Sequence, residues 1–267
     1  MSEVRPKKAL GQHFLTDLSV SRRIAESLLT EGKTDVLEVG PGMGVLTRFL
    51  MEREDLALKA VEIDRESVDY LLLHYPALNG SLIEADFLKL RLEHFFPGKF
   101  CVIGNFPYNI SSQIFFKILD YRESVPQVVC MIQKEVAERI AEKPGSKTYG
   151  ILSVLLQAWY DIEYLFSVGP GAFNPPPKVN SAVIRLRRNA RTSLGCDETL
   201  FKTVVKTAFN QRRKTLRNSL KPLIQAKAAR ECWDAETLSA FTARPVFDLR
   251  PERLGVEEFI ELTLELA

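Results

Sequence analysis

Apolar residues in this chain form short continuous runs that alternate with stretches of helical spacing. The short runs predict buried strands, and the helical stretches predict amphipathic helices. Strands are predicted at residues 34–39, 56–64, 81–85, 100–103, 128–132, 160–168 and 181–187. Helices are predicted at residues 45–50, 65–74, 134–141 and 149–158. This alternation predicts an α/β fold with a doubly wound sheet.

The last part of the chain shows helical spacing without strands. Residues 189–267 predict a small α-helical domain, and residues 1–188 predict the α/β domain. The buried face of the helical domain is expected to carry four apolar residues, namely Phe209, Leu216, Leu220 and Leu223.

The N-terminus is basic and irregular before it leads into a helix. Arg5, Lys7 and Lys8 precede that helix, for which Asp17 or Ser19 is the expected N-cap. Two interpretations stay open, because such a segment can be a disordered arm or a lid over a pocket.

The residues that follow the strand at 100–103 carry the first candidate chemistry. There Asn105, Pro107 and Tyr108 place an amide, a proline and an aromatic ring close together. Ligands of open α/β sheets bind outside the carboxyl ends of the strands. An amide can hydrogen-bond a planar exocyclic amine, and a tyrosine ring can stack on the heterocycle that bears it. The alternative is a structural turn in which Tyr108 is merely packed.

A glycine-rich turn follows the strand at 34–39. Gly40, Gly42 and Gly44 allow the backbone to turn tightly and to approach a ligand. Val45 stands where a dinucleotide-binding fingerprint has its third glycine, which disfavours a nicotinamide cofactor. A purely structural turn is the alternative.

Two acidic residues end the next two predicted strands. Glu62 is placed to accept hydrogen bonds from both hydroxyls of a ribose. Asp86 is placed to meet the amine of an adenine, although it can instead cap the next helix. Asp64 is predicted to be the N-cap of the helix at 65–74. The cavity is therefore expected to hold an adenosine-containing cofactor beside a planar amine.

Composition places the chain among ordinary globular proteins. It has 267 residues, of which 46% are hydrophobic and 26% charged. The N-terminus lacks an apolar signal region, and no apolar run reaches the length of a membrane helix, so a cytoplasmic protein is expected. The four cysteines show no Cys-x-x-Cys pairing and the three histidines are scattered, so no metal site is expected.

Charge is unevenly distributed although the net charge is only +2. Residues 178–221 contain twelve Lys or Arg and two acidic residues, whereas residues 222–267 contain five basic and nine acidic residues. Such a basic band predicts a site for a polyanion.

Five motifs, taken together, resemble one known family. They are Leu10-Gly11-Gln12-His13-Phe14-Leu15, Glu38-Val39-Gly40-Pro41-Gly42, Asn105-Phe106-Pro107-Tyr108-Asn109-Ile110-Ser111, Phe173-Asn174-Pro175-Pro176-Pro177-Lys178-Val179-Asn180-Ser181 and Phe209-Asn210-Gln211-Arg212-Arg213-Lys214. In this order they resemble the bacterial small-subunit ribosomal RNA adenine dimethyltransferases of the KsgA (RsmA) type. The first three motifs are shared with large-subunit dimethyltransferases, and the last one favours the small-subunit branch.

The resemblance implies a class I methyltransferase fold and S-adenosylmethionine as the cofactor. The implied cofactor contacts are His13, Leu15, Gly40, Glu62, Asp86 and Asn105. His13 and Phe106 depart from the commonest pattern of the family, which has Asn and Leu at these positions.

The resemblance also implies the reaction and its substrate. The expected reaction is N6,N6-dimethylation of two adjacent adenosines in a hairpin near the 3′ end of 16S rRNA, within the small ribosomal subunit and as a step of ribosome biogenesis. Catalytic roles fall on Asn105, Pro107, Tyr108 and Phe173, although Phe173 can also be a core aromatic. RNA contacts are expected from Arg212, Arg213, Lys214, Arg217 and Lys221, although these can also be a solvated helix face. A monomer without membrane contact is expected.

Two other functions are weighed against this one. Methylation of DNA adenine is disfavoured because no target-recognition domain is recognisable in the sequence. A non-enzymatic assembly or transcription factor that keeps the cofactor fold to bind RNA is the other alternative.

Overall fold

The chain divides into two compact units. The computed structural model describes residues 4–7 and 10–267, so Lys8 of the basic N-terminus lies outside the described residues. The first unit comprises the chain up to residue 137 together with residues 160–188, and the second comprises residues 138–159 and 189–267.

All strands in the described ranges belong to the first unit. They are β1 (Phe14–Leu15), β2 (Thr34–Val39), β3 (Leu56–Glu62), β4 (Leu82–Glu84), β5 (Cys101–Asn105), β6 (Gln127–Gln133), β7 (Tyr160–Val168), β8 (Phe173–Asn174) and β9 (Ser181–Arg188). The helices are α1 (Leu18–Glu26), α2 (Thr47–Met51), α3 (Arg65–His74), α4 (Ser111–Asp120), α5 (Lys134–Ala141), α6 (Ile151–Gln157), α7 (Glu198–Asn210), α8 (Leu216–Ser219), α9 (Lys221–Arg230), α10 (Ala235–Thr242) and α11 (Val256–Leu266). No helix in these ranges is long and apolar enough to cross a bilayer.

Seven strands form the central sheet in the order β4-β3-β2-β5-β6-β9-β7. The first five are parallel to one another, and β9 pairs antiparallel with both β6 and β7. The strand order reverses between β2 and β5, and this reversal defines the switch point of a doubly wound sheet. The predicted α/β architecture is therefore confirmed.

Helix caps agree with the sequence pattern. Asp17, rather than Ser19, caps α1 by accepting from the Ser19 and Val20 amides. Asp64 caps α3 by accepting from the Glu66 amide. One face of the sheet buries Ile24 and Leu28 against the strands in a continuous apolar core.

The second unit is helical and is held together by aromatic packing. Phe209 on α7 lies 5.9 Å from Phe259 on α11 and 6.3 Å from Tyr149, measured between ring centroids. Of the four residues expected on its buried face, Phe209, Leu216 and Leu220 are buried, whereas Leu223 is only half-buried.

The observed division differs from the expected one in residues 138–159. This segment was expected in the α/β domain, but α6 packs against α7 and α11 and so belongs to the second unit. The physical reason is that α6 is apolar and buried on all sides, with Leu152, Val154, Leu155 and Leu156 all buried.

Candidate active site

A cavity of about 260 Å³ lies at the carboxyl ends of β2, β3 and β5. It is lined by five stretches of the first unit, within residues 10–15, 38–46, 61–63, 85–88 and 105–110. These stretches include most of the predicted site residues, namely His13, Leu15, Gly40, Glu62, Asp86, Asn105, Pro107 and Tyr108. The cavity therefore sits at the switch point, where open α/β sheets bind ligands.

The glycine turn keeps one wall of the cavity free of side chains. Gly40 and Gly42 have φ angles of +69° and +55°, which favour glycine. A Cβ atom on Gly42 would lie 2.9 Å from the Phe14 ring, so a larger residue would push the N-terminal segment away.

Glu62 is buried and held by the backbone. Its Oε2 accepts from the Gly42 amide at 3.1 Å, and its Oε1 accepts from the Ile63 and Asp64 amides at 2.9 Å each. Burial raises the pKa of Glu62, and these backbone hydrogen bonds oppose the rise. The carboxyl is thus fixed in orientation at the end of β3.

Asp86 combines the two roles that its sequence position allows. Its Oδ1 accepts from the Leu88 amide at 2.9 Å and caps a short 3₁₀ turn, while the residue also lines the cavity. Its Oδ2 lies 3.8 Å from Lys89 Nζ, which is too far for a hydrogen bond.

Asn105 presents an unused acceptor. Its Nδ2 donates to the His13 carbonyl at 3.1 Å, and its Oδ1 is buried without a hydrogen-bond partner among the described residues. This pairing fixes the orientation of the amide, because a flipped amide would set two oxygens against each other. The free acceptor at a cavity wall is the position that a ligand N–H would satisfy.

Tyr108 is half-buried and anchored at its hydroxyl. The hydroxyl forms a short hydrogen bond with Ser181 Oγ, and the His13 ring stacks at 5.6 Å between centroids. Burial raises the pKa of the Tyr108 phenol, so the side chain is neutral at physiological pH. Next to it, the Pro107 carbonyl accepts from the Ile110 amide at 3.2 Å and keeps a second lone pair.

Phe173 is not brought to this cavity. It is 4% exposed, lies in the apolar core with Leu15 and Val183, and is absent from the lining of the cavity in the described part of the chain. Strand β8, which contains Phe173, pairs with β1 so that Phe173 faces Leu15 in register. This placement agrees with the core-aromatic alternative, and a catalytic role for Phe173 stays a prediction.

The N-terminal segment covers part of the cavity, in agreement with the lid interpretation. Lys7 Nζ contacts the buried Asp64 carboxylate and lies 3.1 Å from Glu66. Gln12 Nε2 donates to Asp64 at 3.2 Å, and its Oε1 accepts from the Lys7 amide at 2.8 Å. We call this set of contacts between Lys7, Gln12 and Asp64 the latch. The latch is not predictable from the sequence pattern, because Lys7 and Asp64 are 57 positions apart.

His13 ties the same segment to a second loop. Its Nδ1 lies 2.9 Å from the Pro175 carbonyl, so Nδ1 carries the proton. The His13 carbonyl accepts from Asn105, and the His13 imidazole contacts Pro175, so His13 links its own motif to the motifs at 105–111 and 173–181.

Glu38 is a third carboxyl group at the cavity, beside Glu62 and Asp86, and no role is predicted for it from the sequence. Glu38 lines the cavity and is 1% exposed, and its Oε2 has no hydrogen-bond partner within the described ranges. Burial raises its pKa to about 8, with a further contribution from Glu62 and an opposing one from the Thr47 hydroxyl. The sequence signal that could have found it is an acidic residue between the apolar Leu37 and Val39, directly before the glycine turn.

The five predicted RNA-contacting residues lie in the second unit and differ from one another. We call Arg212, Arg213, Lys214, Arg217 and Lys221 the basic surface. Arg217 pairs with Asp248 at 2.7 Å, and Arg212 donates to the Lys147 carbonyl. The other three are exposed and have no ion pair within the part of the chain that the structure describes.

Comparisons with known proteins agree with this geometry. A family model described as ribosomal RNA adenine dimethylase matches residues 4–237. The ribosomal RNA small subunit methyltransferase A of Parabacteroides distasonis is 62% identical over 265 residues, which cover 99% of this chain and 95% of the relative.

Solved structures share the fold. A dimethyladenosine transferase from Plasmodium falciparum matches with a TM-score of 0.77 and 23% identity, over 95% of this chain and 97% of that chain. The 23S rRNA methyltransferase ErmE matches with a TM-score of 0.64 and 25% identity, over 94% of this chain and 99% of that chain. The expected class I methyltransferase fold is thus confirmed, and the chain belongs to the ribosomal RNA adenine dimethylase family.

Proposed function

We propose that this protein uses S-adenosylmethionine to dimethylate N6 of two adjacent adenosines in a hairpin near the 3′ end of 16S rRNA. Membership of the family and the name of the 62% identical relative, a ribosomal RNA small subunit methyltransferase, support the substrate class. The observation that carries the chemistry is the Asn105 amide, whose donor is occupied by the His13 carbonyl and whose acceptor is free.

The residues at the cavity fit the cofactor. S-adenosylmethionine, when bound, supplies an electrophilic methyl group on a positively charged sulfur. Glu62 would accept from a ribose hydroxyl, because a carboxylate has about four acceptor positions and the backbone uses three of them. Asp86 would accept from the adenine amine through Oδ2. His13, Leu15, Gly40 and Asn105 would supply the remaining contacts.

Asn105 and Pro107 would prepare the target nitrogen. The lone pair of an adenine amine is delocalised into the ring, so the amine is a weak nucleophile while it stays planar. Asn105 Oδ1 and the Pro107 carbonyl can each accept a hydrogen bond from one N–H of the amine. This arrangement favours a tetrahedral nitrogen with its lone pair directed at the methyl group. Alignment is then the main catalytic contribution, and no strong general base is needed.

Tyr108 would hold the target base. The adenosine must leave its helix or loop to reach the cavity, and stacking on an aromatic ring stabilises a bound base by about 1–3 kcal/mol. The hydrogen bond from Tyr108 to Ser181 restrains the ring at the orientation it has in the structure.

The basic surface would bind the RNA backbone. Its exposed cations, Arg213, Lys214 and Lys221, can contact phosphates without reading sequence, which suits recognition of a folded hairpin by shape. We further propose that the protein acts as a monomer in the bacterial cytoplasm, where small ribosomal subunits are assembled.

Methyl transfer to ribosomal particles tests this function. Purified protein and labelled S-adenosylmethionine are incubated with small subunits from a strain that lacks this methylation, and with large-subunit RNA and duplex DNA as controls. We expect label in the small-subunit RNA, recovered as dimethyladenosine. Label only in large-subunit RNA would place the activity in the branch of ErmE, and label in no RNA would favour a binding platform without activity.

A further inference from the structure

Two carboxyl groups at the cavity lie on neighbouring strands and face the same side of the sheet. Glu38 on β2 stands opposite Ala60 on β3, and Glu62 lies two residues beyond Ala60. Because side chains alternate along a strand, Glu38 and Glu62 project from the same face as diagonal neighbours. Both are buried, and both line the cavity.

The two carboxyls differ in how their charge is supported. Glu62 accepts three backbone hydrogen bonds, whereas Glu38 Oε2 accepts none from the described residues. A buried carboxylate that has few hydrogen bonds and no neighbouring cation is strongly destabilised. Of the two groups, Glu38 is therefore the one that keeps its proton before a ligand binds.

The groups around Glu38 give little compensation for a negative charge. Glu62 on β3 repels it, the Thr47 hydroxyl on α2 offers a weak dipole, and the Tyr75 phenol after α3 is neutral because its own pKa is raised by burial. Within the described chain, no cation is among the groups that shift the pKa of Glu38. The missing positive charge is one that a ligand can bring.

We propose that Glu38 is a specificity-determining residue that distinguishes the sulfonium cofactor from its neutral thioether product by charge. When the positive sulfur enters the cavity, Glu38 loses its proton to the solvent and the two opposite charges attract each other. After methyl transfer the sulfur is neutral, Glu38 regains a proton from the solvent, and the attraction is lost. The inference rests on the proposed function only in its choice of cofactor.

Proton release on binding is the direct test. Calorimetric titrations of S-adenosylmethionine and S-adenosylhomocysteine into the full-length protein near neutral pH are repeated in buffers of different ionisation enthalpy. We expect the sulfonium compound to release more protons per site than the thioether, and this difference to vanish in Glu38→Gln. A fall of one unit in the Glu38 pKa on binding corresponds to a factor of ten in affinity. We therefore expect Glu38→Gln to weaken the binding of S-adenosylmethionine about tenfold and the binding of the thioether less than threefold.

A matched control is available on the same sheet. Glu84 stands opposite Glu62 in register at the end of β4, but it is exposed and pairs with Arg65 at 2.6 Å. Glu84→Gln should release as many protons as the unmodified protein. Circular dichroism of Glu38→Gln verifies that it folds, and Glu38→Asp, which keeps the carboxyl, should retain part of the proton release.

Three results would overturn the inference. They are equal proton release for the two compounds, unchanged proton release in Glu38→Gln, and equal loss of affinity for both compounds in that variant. None of these requires RNA, so a protein that binds S-adenosylmethionine with the expected proton release but does not methylate small subunits would contradict only the proposed function. A protein that does not bind S-adenosylmethionine would overturn both.

Discussion

The cavity and the basic surface hold their polar groups in opposite ways. In the cavity, Glu62 and Asn105 are tied to backbone groups, so their orientations are fixed and specified atoms remain for a ligand. On the basic surface, Arg213, Lys214 and Lys221 are exposed and have no ion pair among the described residues. Burial thus fixes the orientation of the polar side chains, which methyl transfer requires. Exposed cations would instead supply affinity for the RNA backbone.

The largest effect is expected from a substitution of Asn105 in the cavity. Asn105→Asp keeps the size of the side chain but replaces the donor to the His13 carbonyl by an acceptor, so the amide position is lost. We expect the methylation rate to fall about 100- to 1000-fold, the range found when one oriented polar group is removed. RNA affinity, measured by filter binding, should change little. Asn79→Asp, at an exposed position, is the control, and equal loss of rate and RNA affinity would contradict the assigned role.

A smaller effect is expected when the stacking platform is removed. Tyr108→Ala should lower methylation at subsaturating RNA about 5- to 150-fold, which corresponds to the stacking energy of one base. Tyr108→Phe keeps the ring and loses only the hydrogen bond to Ser181, so we expect about tenfold or less. Steady-state kinetics of both variants decide the role, and a Phe variant as poor as the Ala variant would exclude stacking as the main contribution.

The basic surface is tested by reversing charge where no other contact is lost. Arg213→Glu together with Lys214→Glu should weaken RNA binding about tenfold or more at low salt and reduce the salt slope by about one per lost phosphate contact. Arg212 is unsuitable, because it donates to the Lys147 carbonyl and its loss also disturbs the fold. Lys99→Glu, an exposed position in the first unit, is the matched control. Unchanged affinity would identify Arg213 and Lys214 as solvated residues of the turn between α7 and α8, without a role in RNA binding.

The smallest effect concerns the latch. Burial alone would raise the pKa of Asp64, but hydrogen bonds from Lys7 and Gln12 outweigh it and hold the pKa below its ordinary value of 3.8. A carboxyl with a depressed folded-state pKa stabilises the protein above its unfolded pKa, and this contribution disappears as the pH falls through the lower, folded value. Asp64→Asn keeps the helix cap and should cost about 1 kcal/mol at neutral pH.

Thermal unfolding across pH measures this contribution of the latch. The unfolding temperatures of the Asp64→Asn variant and the unmodified protein should converge in acid. A difference that is independent of pH would show that the charge of Asp64 is not responsible. The variant should also release cofactor a few times faster, because the segment that covers the cavity is less firmly held.

Much of the fold could be predicted because its determinants are local. The apolar run at β2, the strand at β3 and the helix α3 with its Asp64 cap follow from periodicity and capping chemistry. The α/β architecture followed from the order of these elements. Residues 138–159 were predicted to lie in the α/β domain. The apolar residues of α6 indicate burial, but they do not show which unit the helix packs against.

Most residues that line the candidate site could be predicted from the sequence, but only some of the contacts between them could. Asn105, Glu62 and Asp86 stand at strand ends, so their convergence follows from the parallel sheet. The pairing of β1 with β8 was not predictable, because two-residue strands have no periodicity, and it is this pairing that places Phe173 in the core. No role was predicted for Glu38, because only the three-dimensional structure shows that it lines the cavity and that its Oε2 lacks a hydrogen-bond partner among the described residues.

Single-turnover methylation rates and RNA affinities, measured on the same variants, test most directly whether the cavity sets the rate and the basic surface sets the affinity. The variants are Asn105→Ala and the Arg213→Glu, Lys214→Glu double variant, each assayed with small-subunit particles from a strain that lacks the modification. We predict that Asn105→Ala loses rate at saturating substrate with unchanged affinity, and that the double variant loses affinity with unchanged rate at saturation. Parallel loss of rate and affinity in both variants would contradict the separation of orientation in the cavity from binding at the basic surface.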